Sequence, residues 1–203
     1  MSELYKTSYK VYTAWNYEKE IEDLNKASEE GWQLVKGGCF HSKFTKNDQL
    51  IYRYQLDYPG TIDDMPRYIE TFREQGWEYI NSTFNGWQYF RKVYDPSLPE
   101  EEYEIFTDHS SLKQMNNHWI KIATALDIIM ILFTIIMLVT CFAQPSLPHI
   151  LRTISYFCLI ILLTKGILVM KHTDHADRLK DDSRLFGALL LIFSSLNLIS
   201  LLL

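Results

Sequence analysis

Two segments in the first half of the chain share one pattern of apolar and polar positions. Residues 9–13 alternate in the manner of a half-buried strand, a stretch with helical spacing follows, and Gly31-Trp32 comes next. Residues 52–58 alternate in the same way, and a second helical stretch leads to Gly76-Trp77. A period of two is typical of strands, and spacings of three and four residues are typical of amphipathic helices. Each segment therefore predicts a β-α-β unit.

The two predicted helices correspond in their apolar positions. An offset of 45 residues superimposes the two Gly-Trp pairs, and the same offset places Ala27 on Phe72. A glycine stands at the end of each helix, and Asn or Asp residues stand near its start. Because strands, caps and stops agree together, we interpret the pattern as an internal duplication rather than as a coincidence among many aromatic residues.

A hairpin signal follows the second Gly-Trp pair. Asn85-Gly86 lies between two aromatic-rich runs, and these residues tolerate the positive φ angles of a type I′ turn. The pattern predicts strands at about 77–84 and 86–94. Two β-α-β units in series with this extra hairpin strand predict an α+β domain with the ferredoxin-like β-α-β-β-α-β arrangement.

Aromatic side chains occur at both odd and even positions of the predicted strands, and therefore on both faces of the sheet. In a ferredoxin-like fold the helices cover one face of the sheet, so some of these side chains should face away from the helices. Large exposed apolar patches usually mark interaction sites, and we therefore expect a face that binds a partner or a ligand. Loops, a second copy of the chain or the region after the last strand could cover it instead. The face is expected to comprise Trp32, Tyr54, Trp77, Tyr79, Trp87 and Tyr89.

Composition separates the chain into an acidic part and an apolar part. Residues 1–119 carry a net charge of −7, whereas residues 120–203 carry +2 and consist mostly of aliphatic residues, Phe and Met. We predict a soluble domain at 1–95, an acidic linker with a juxtamembrane helix at 96–119 and a transmembrane region at 120–203. No nucleic acid is expected as a partner, because binding to phosphates relies on clustered Lys and Arg residues.

The apolar part holds three runs of about 20 residues, the length that crosses a bilayer, at about 121–142, 150–170 and 185–203. Lys and Arg residues stay on the cytoplasmic side of membranes. The 143–149 connection has neither residue type, and only Arg152 lies just beyond it. The other positive residues that flank the runs lie at their opposite ends. They are Lys113, Lys121, Lys171, Arg178, Lys180 and Arg184. This distribution predicts a multi-pass protein of the cell membrane with a cytoplasmic N-terminal domain.

Asp127 and Lys165 lie deep within the predicted spans. The rise of a helix places each of them about 9–10 Å from the cytoplasmic edge, so antiparallel neighbours would bring them level. An unpaired charge at that depth is costly, and we therefore expect an intramembrane ion pair that fixes the register of the two helices. A proton relay or ion coupling is the alternative, and Asn197 could extend such a pathway.

Six motifs of the acidic part belong together. They are Trp15-Asn16-Tyr17-Glu18-Lys19-Glu20, Glu30-Gly31-Trp32-Gln33-Leu34, Tyr52-Arg53-Tyr54, Gly76-Trp77-Glu78-Tyr79, Trp87-Gln88-Tyr89-Phe90-Arg91-Lys92 and Phe106-Thr107-Asp108. On these motifs, residues 8–108 resemble the bacterial family known as domain of unknown function 2812. Its members typically join such a domain to membrane helices and often lie beside genes for PadR-type regulators. The resemblance implies a regulatory or envelope-response setting, and it implies no catalytic residues.

No motif in the sequence indicates catalysis or a cofactor, since nucleophile elbows, phosphate-binding loops, dinucleotide fingerprints and zinc-protease motifs are absent. The run His172-Thr173-Asp174-His175 has a spacing that could hold a metal, but a solvated loop explains it better, and no metal site is expected. We predict a membrane-anchored regulatory or sensory module that is not an enzyme. It would bind another protein, or form a homo-oligomer, through the aromatic face. The alternatives are a small-molecule or lipophile receptor and an accessory transport subunit.

Overall fold

The computed structural model describes residues 4–105, 109–171 and 183–202. The chain divides into two compact units, Met1–Met115 and Asn116–Leu203. In the described residues of the first unit, strands and helices follow one another in this order: β1 (Tyr5–Ser8), α1 (Tyr17–Glu29), β2 (Trp32–Lys36), β3 (Ser42–Lys46), β4 (Tyr52–Asp57), α2 (Met65–Glu74), β5 (Glu78–Ser82) and β6 (Gln88–Val93). Short 3₁₀ helices occur at Ala14–Asn16 and Glu100–Tyr103.

These strands form two antiparallel three-stranded sheets. The first sheet has the order β1-β3-β2, and the second has the order β4-β6-β5. In both, the chain runs strand, helix, strand, strand, and the last strand lies between the other two. The fold is therefore α+β, but the ferredoxin-like topology is not confirmed, because that topology joins its strands in one sheet.

Strand β3 lies in the polar stretch between Phe40 and Gln49, for which the sequence predicts a loose connection after Gly37-Gly38. Ser42–Lys46 contains one large apolar residue, Phe44, which is opposite Lys6 of β1 and Leu34 of β2. A strand with one apolar side chain offers no alternating pattern to recognise. Backbone hydrogen bonds to the strands on both sides hold it in place instead.

Glycines end both helices of the first unit, as the sequence predicts. Gly31 has φ 79° and Gly76 has φ 84°, a conformation that residues with a Cβ atom rarely adopt. Helix α2 is capped at its start by Asp64, whose carboxylate accepts the N–H of Arg67 at 3.1 Å. After each helix, the chain therefore turns at a glycine and enters the next strand.

The turn between β5 and β6 differs from the prediction. Gly86 has φ 98°, but no residue other than glycine has a positive φ in the described ranges, so the type I′ turn at Asn85-Gly86 is wrong. The Gly86 N–H donates to the Thr83 carbonyl at 3.1 Å, and the Thr83 N–H donates to the Trp87 carbonyl at 2.8 Å. The hairpin thus uses a longer loop that ends with a left-handed glycine.

A buried polar cluster connects α1 to both sheets. The Ser28 hydroxyl donates to Gln33 Oε1 at 2.8 Å and accepts the N–H of Tyr52 at 2.7 Å. The Tyr54 hydroxyl donates to the same Gln33 oxygen at 3.0 Å and accepts the N–H of Leu34 at 2.9 Å. Because buried polar groups are costly unless they are hydrogen-bonded, the cluster fixes α1, β2 and β4 in one arrangement.

The remaining helices are α3 (His109–Ala143), α4 (Leu147–Lys171) and α5 (Ser183–Leu202). Two stretches, Lys113–Ala143 and Leu147–Lys171, are long and apolar enough to cross a membrane by length and composition. The apolar stretch of α5, Gly187–Leu202, is shorter, so the prediction of three spans is not confirmed.

Polar side chains join α4 to α5. Arg152 Nε donates to the Ser200 hydroxyl at 2.5 Å, and Asn197 Nδ2 donates to the Ser155 hydroxyl at 2.9 Å. Ser155 is fully buried, and Ser200 is almost so. Hydrogen bonds between helices stabilise their association where apolar packing alone does not distinguish one partner from another.

Candidate functional site

The six aromatic residues of the predicted face do not form an exposed surface. Tyr54, Trp77, Trp87 and Tyr89 are buried, and Trp32 and Tyr79 are half-buried. Trp77 belongs to the core under α2, and the Tyr79 ring packs against Phe90 there at a centroid distance of 5.4 Å. The Trp87 ring instead stacks on Tyr17 of α1 at 5.3 Å. These side chains therefore lie on different faces and mostly form the interior of the unit.

A cavity of about 230 Å³ lies between α1 and the first sheet. Small side chains leave this space open, because Ser8 of β1 is opposite Ser42 of β3, and Ala27 of α1 lines the same cavity. Ligand sites usually measure about 300–1,000 Å³, so this cavity suits a small molecule. The charged residues that line it are Lys6, Lys10, Glu20, Asp23, Lys26 and Glu30.

The corresponding space of the second sheet is filled. Ala27 and Phe72 each lie four residues before the glycine that ends their helix. The Phe72 ring is 4.3 Å from the ring of Phe90, which lies on the central strand β6. A phenylalanine therefore closes the space between helix and sheet in the second half of the unit, whereas an alanine leaves it open in the first.

Glu20 brings a buried carboxyl group to the wall of this cavity. Only 6% of the residue is exposed, and the Tyr89 hydroxyl donates to Glu20 Oε1 at 2.7 Å. Burial raises the pKa of the Glu20 carboxyl to about 7, although the hydrogen bond from Tyr89 acts in the opposite direction. No Lys or Arg of the described residues forms an ion pair with Glu20. The carboxyl group therefore changes its charge near neutral pH.

Asp23, one turn further along α1, has a different environment. Its carboxylate accepts hydrogen bonds from Lys10 and Tyr12, both at 2.6 Å, and Lys19 Nζ lies 3.1 Å from its other oxygen. Burial would raise the pKa of the Asp23 carboxyl, but these partners outweigh burial and hold the pKa below its usual value. Asp23 is therefore ionised and neutralises Lys10, which makes Glu20 the buried acid of the wall that has no cationic partner.

Trp32 adds an aromatic surface to the same cavity. Lys6 Nζ and Lys46 Nζ lie 5.4 Å and 5.5 Å from the centroid of its ring. The face of an indole ring attracts cations, and these two lysines already occupy it. Of the six predicted residues, Trp32 lines the cavity directly, and Tyr89 reaches it through Glu20.

Residues 16–128 match the family described as protein of unknown function, DUF2812. The match covers more than half of the chain. The chain belongs to the DUF2812 family. Comparison with curated proteins and with solved structures gives no match. The resemblance found in the sequence is thus confirmed, and the DUF2812 match includes Glu20 and Tyr89 but begins after β1.

The predicted ion pair of this DUF2812 protein stays a prediction. The Thr164 hydroxyl donates to Asp127 Oδ2 at 3.1 Å, so the carboxylate of α3 has a polar partner on α4. Lys165 is the next residue along α4, and both Asp127 and Lys165 are half-buried. This hydrogen bond joins α3 to α4 at the residue before Lys165.

No group of three or more His, Cys, Asp or Glu residues could hold a metal ion within the described part of the chain. The run His172-Thr173-Asp174-His175 lies outside the described residues, as does most of the positively charged connection at 171–184.

The Cys39 thiol donates to Asn85 Oδ1 at 3.1 Å. Burial raises the pKa of this thiol, which disfavours the reactive thiolate.

Apart from Trp32, the residues of the cavity were not predicted as a site. Glu20 has the sequence signature of an ordinary acid in the first turn of a helix, and Ser8 and Ser42 have that of exposed strand positions. One signal was available, because the offset of 45 residues places Ala27 on Phe72. A small residue at the position of a large one indicates space between helix and sheet.

Proposed function

We propose that this protein is a membrane-anchored sensory module, without enzymatic activity, whose first unit binds a small polar ligand between α1 and the first sheet. One observation carries the proposal: charged residues of both signs line one cavity, and they include Glu20, whose carboxyl group is buried. Ligand sites are concave and use a few fixed polar groups for specificity. The aromatic residues that favoured a protein partner are mostly interior, so the receptor function takes precedence.

Binding without chemistry is supported by the hydroxyl groups that line the cavity. A nucleophilic serine needs a base within hydrogen-bond reach. Among the described residues, neither Ser8 nor Ser42 is hydrogen-bonded to a His, Asp or Glu side chain; the Ser8 hydroxyl instead accepts the N–H of Lys10 at 3.5 Å. The polar groups of the wall are arranged to hold a ligand.

The membrane part of the proposal has three spans and a cytoplasmic first unit. Two helices have the necessary length and composition, and α5 has 20 residues, or about 30 Å of helix. Its hydrogen bonds to α4 through Ser200 and Asn197 support a common apolar environment for both helices. The distribution of Lys and Arg supports the orientation.

Replacing Ala27 with Phe tests the receptor function, because it introduces the residue that closes the second sheet. We expect the variant to fold and to lose binding, since the ring occupies the ligand space. The full chain in detergent is titrated with a broad set of small polar compounds, and the midpoint of thermal unfolding is measured. Glu22→Phe is the matched control, because Glu22 is exposed on the same helix and does not line the cavity. A ligand that stabilises wild type and Ala27→Phe equally binds elsewhere, and the absence of any ligand contradicts the proposal.

The orientation has its own test. A reporter that is active only in the cytoplasm should work when fused at Met1 and should fail when fused after Leu203. Activity at both ends would mean an even number of spans, which the two long helices alone would give.

One observation still supports binding to a protein partner, and it concerns two exposed aromatic side chains. Phe40 is 66% exposed and Phe84 is 84% exposed, and their rings stack at a centroid distance of 6.3 Å on neighbouring loops. Exposed aromatic pairs are typical of contact sites with another protein or a second copy. Phe84→Ser should then abolish a cross-linked complex of the intact chain. Unchanged cross-linking would exclude this surface.

A further inference from the structure

The geometry of the cavity points to a ligand that carries a protonated amino group, with the Glu20 carboxylate as its counter-ion. This inference rests on the proposed receptor function and names the class of molecule that the site takes. The ligand would be a small primary amine or a zwitterion, since the cavity measures about 230 Å³.

The first argument is the distribution of charge along the wall. Lys10 already has a carboxylate partner in Asp23, at 2.6 Å. Glu20 is buried and its hydrogen-bond partner, Tyr89, is uncharged. A buried carboxylate without a cation is strongly disfavoured, and a ligand that brings the cation relieves that cost. An ammonium group supplies one positive charge and up to three donors.

The second argument is the position of the remaining lysines. Lys6 and Lys26 line the cavity but are exposed, whereas Glu20 is buried. The buried part of the wall is therefore acidic, and the accessible part, which consists of Lys6, Lys26 and Glu30, has a net positive charge. A cationic end of the ligand belongs against Glu20, and any anionic end belongs near the lysines. A ligand with anionic groups alone would place negative charge beside both Glu20 and Asp23.

Charged and titratable groups surround Glu20 from several elements, and an ammonium ligand has to fit among them. Those that contact Glu20 or line the same cavity are Asp23, Lys26 and Glu30 of α1 and its end, Tyr89 of β6, Tyr12 and Lys10 before α1, Lys6 of β1, and Cys39 after β2. Burial raises the pKa of the Glu20 carboxyl to about 7, so the empty site is protonated below that pH. Ammonium binding requires the ionised form, and it should release a proton from Glu20 near neutral pH.

Four probes with four carbon atoms each separate the ligand classes: butylamine, 4-aminobutanoate, butanoate and 1-butanol. Each is titrated into the full chain in detergent up to about 10 mM, and binding is followed by ligand-observed NMR. We expect the two amines to bind and the other two not to bind. Their affinity should rise about tenfold between about pH 6 and about pH 8, as Glu20 ionises. Glu20→Gln should weaken amine binding by about thirtyfold or more at the higher pH and remove its pH dependence. Glu22→Gln, on the exposed face of α1, is the control.

Each outcome decides the inference. Amine binding that disappears in Ala27→Phe and weakens in Glu20→Gln supports it, and unfolding curves of both variants show that they are folded. If only butanoate or 1-butanol binds, and Ala27→Phe abolishes that binding, the ligand is not an amine but the receptor function stands. Amine binding that is equal in wild type and Glu20→Gln also overturns it. If neither these probes nor the broader set bind, both the inference and the proposed function fail.

Discussion

Replacing Glu20 with Gln should change how the stability of the first unit depends on pH. Gln has the shape of a protonated Glu and can still accept the hydrogen bond from Tyr89, but it cannot ionise. The carboxyl of Glu20 has a pKa of about 7 in the folded chain, against an ordinary value of 4.5. Because its pKa is raised, the folded chain binds this proton more tightly than the unfolded chain. The free energy of unfolding of wild type should therefore fall as the pH rises from about 4.5 to about 7.

The size of this effect follows from the two pKa values. The interval from 4.5 to about 7, at 1.36 kcal/mol for each pKa unit, corresponds to about 3 kcal/mol. Wild type and variant should have similar free energies of unfolding near about pH 4.5. Above about pH 7 the variant should be more stable by about 3 kcal/mol, because it does not bury a carboxylate without a cation.

The measurement is urea denaturation of the full chain in detergent at several pH values without ligand. Near-ultraviolet circular dichroism reports the buried aromatic core of the first unit. Asp57, whose pKa burial also raises, is the same in both proteins and cancels from the comparison. Glu22→Gln, an exposed change on the same helix, should follow wild type. If wild type and Glu20→Gln lose stability in parallel across this range, the assignment of the pH dependence to Glu20 is refuted.

Three other substitutions test the contacts that hold each unit together. Gly37→Ala would bring a Cβ atom within 2.4 Å of the Tyr89 ring, so it should destabilise the first unit by about 1–3 kcal/mol in the same denaturation assay; a neutral result would mean that the ring moves freely. Gln33→Leu leaves two buried hydroxyl groups without an acceptor and removes the donor to the Asn47 carbonyl, so it should cost about 3 kcal/mol or more, which an unchanged urea midpoint would contradict. Asn197→Leu removes the bond to Ser155 and should weaken the association of α4 with α5 by about 1 kcal/mol, measured by unfolding the helices in mixed micelles; full retention of stability would show that packing alone holds the pair.

The sequence alone determined the elements that have a strong local pattern. Alternation and helical spacing located both helices of the first unit and strands β2, β4, β5 and β6, and the glycines at 31 and 76 end the helices where predicted. The strand predicted at 9–13 is wrong, because β1 is Tyr5–Ser8 and residues 9–13 form no strand. Long apolar runs located the two helices that are able to cross a membrane. Strand β3 was not predicted, because its position depends on hydrogen bonds to β1 and β2 and not on a local pattern of apolar residues. The type of the hairpin turn was predicted wrongly, because Asn85-Gly86 is compatible with more than one loop length.

The tertiary structure decided which side chains became a core and which became a site. Both faces of the second sheet are buried, one by α2 and the other by the first half of the unit, so aromatic residues of either parity are interior. The alternation of residues along a strand shows which side chains share a face of the sheet, but it cannot show what covers that face. Glu20 has the sequence of a solvated helix residue, but it is buried and hydrogen-bonded to Tyr89, which lies 69 residues away along the chain. The pKa of Glu20 and the cavity beside it exist only because folding brings these distant residues together, where water no longer stabilises the charge.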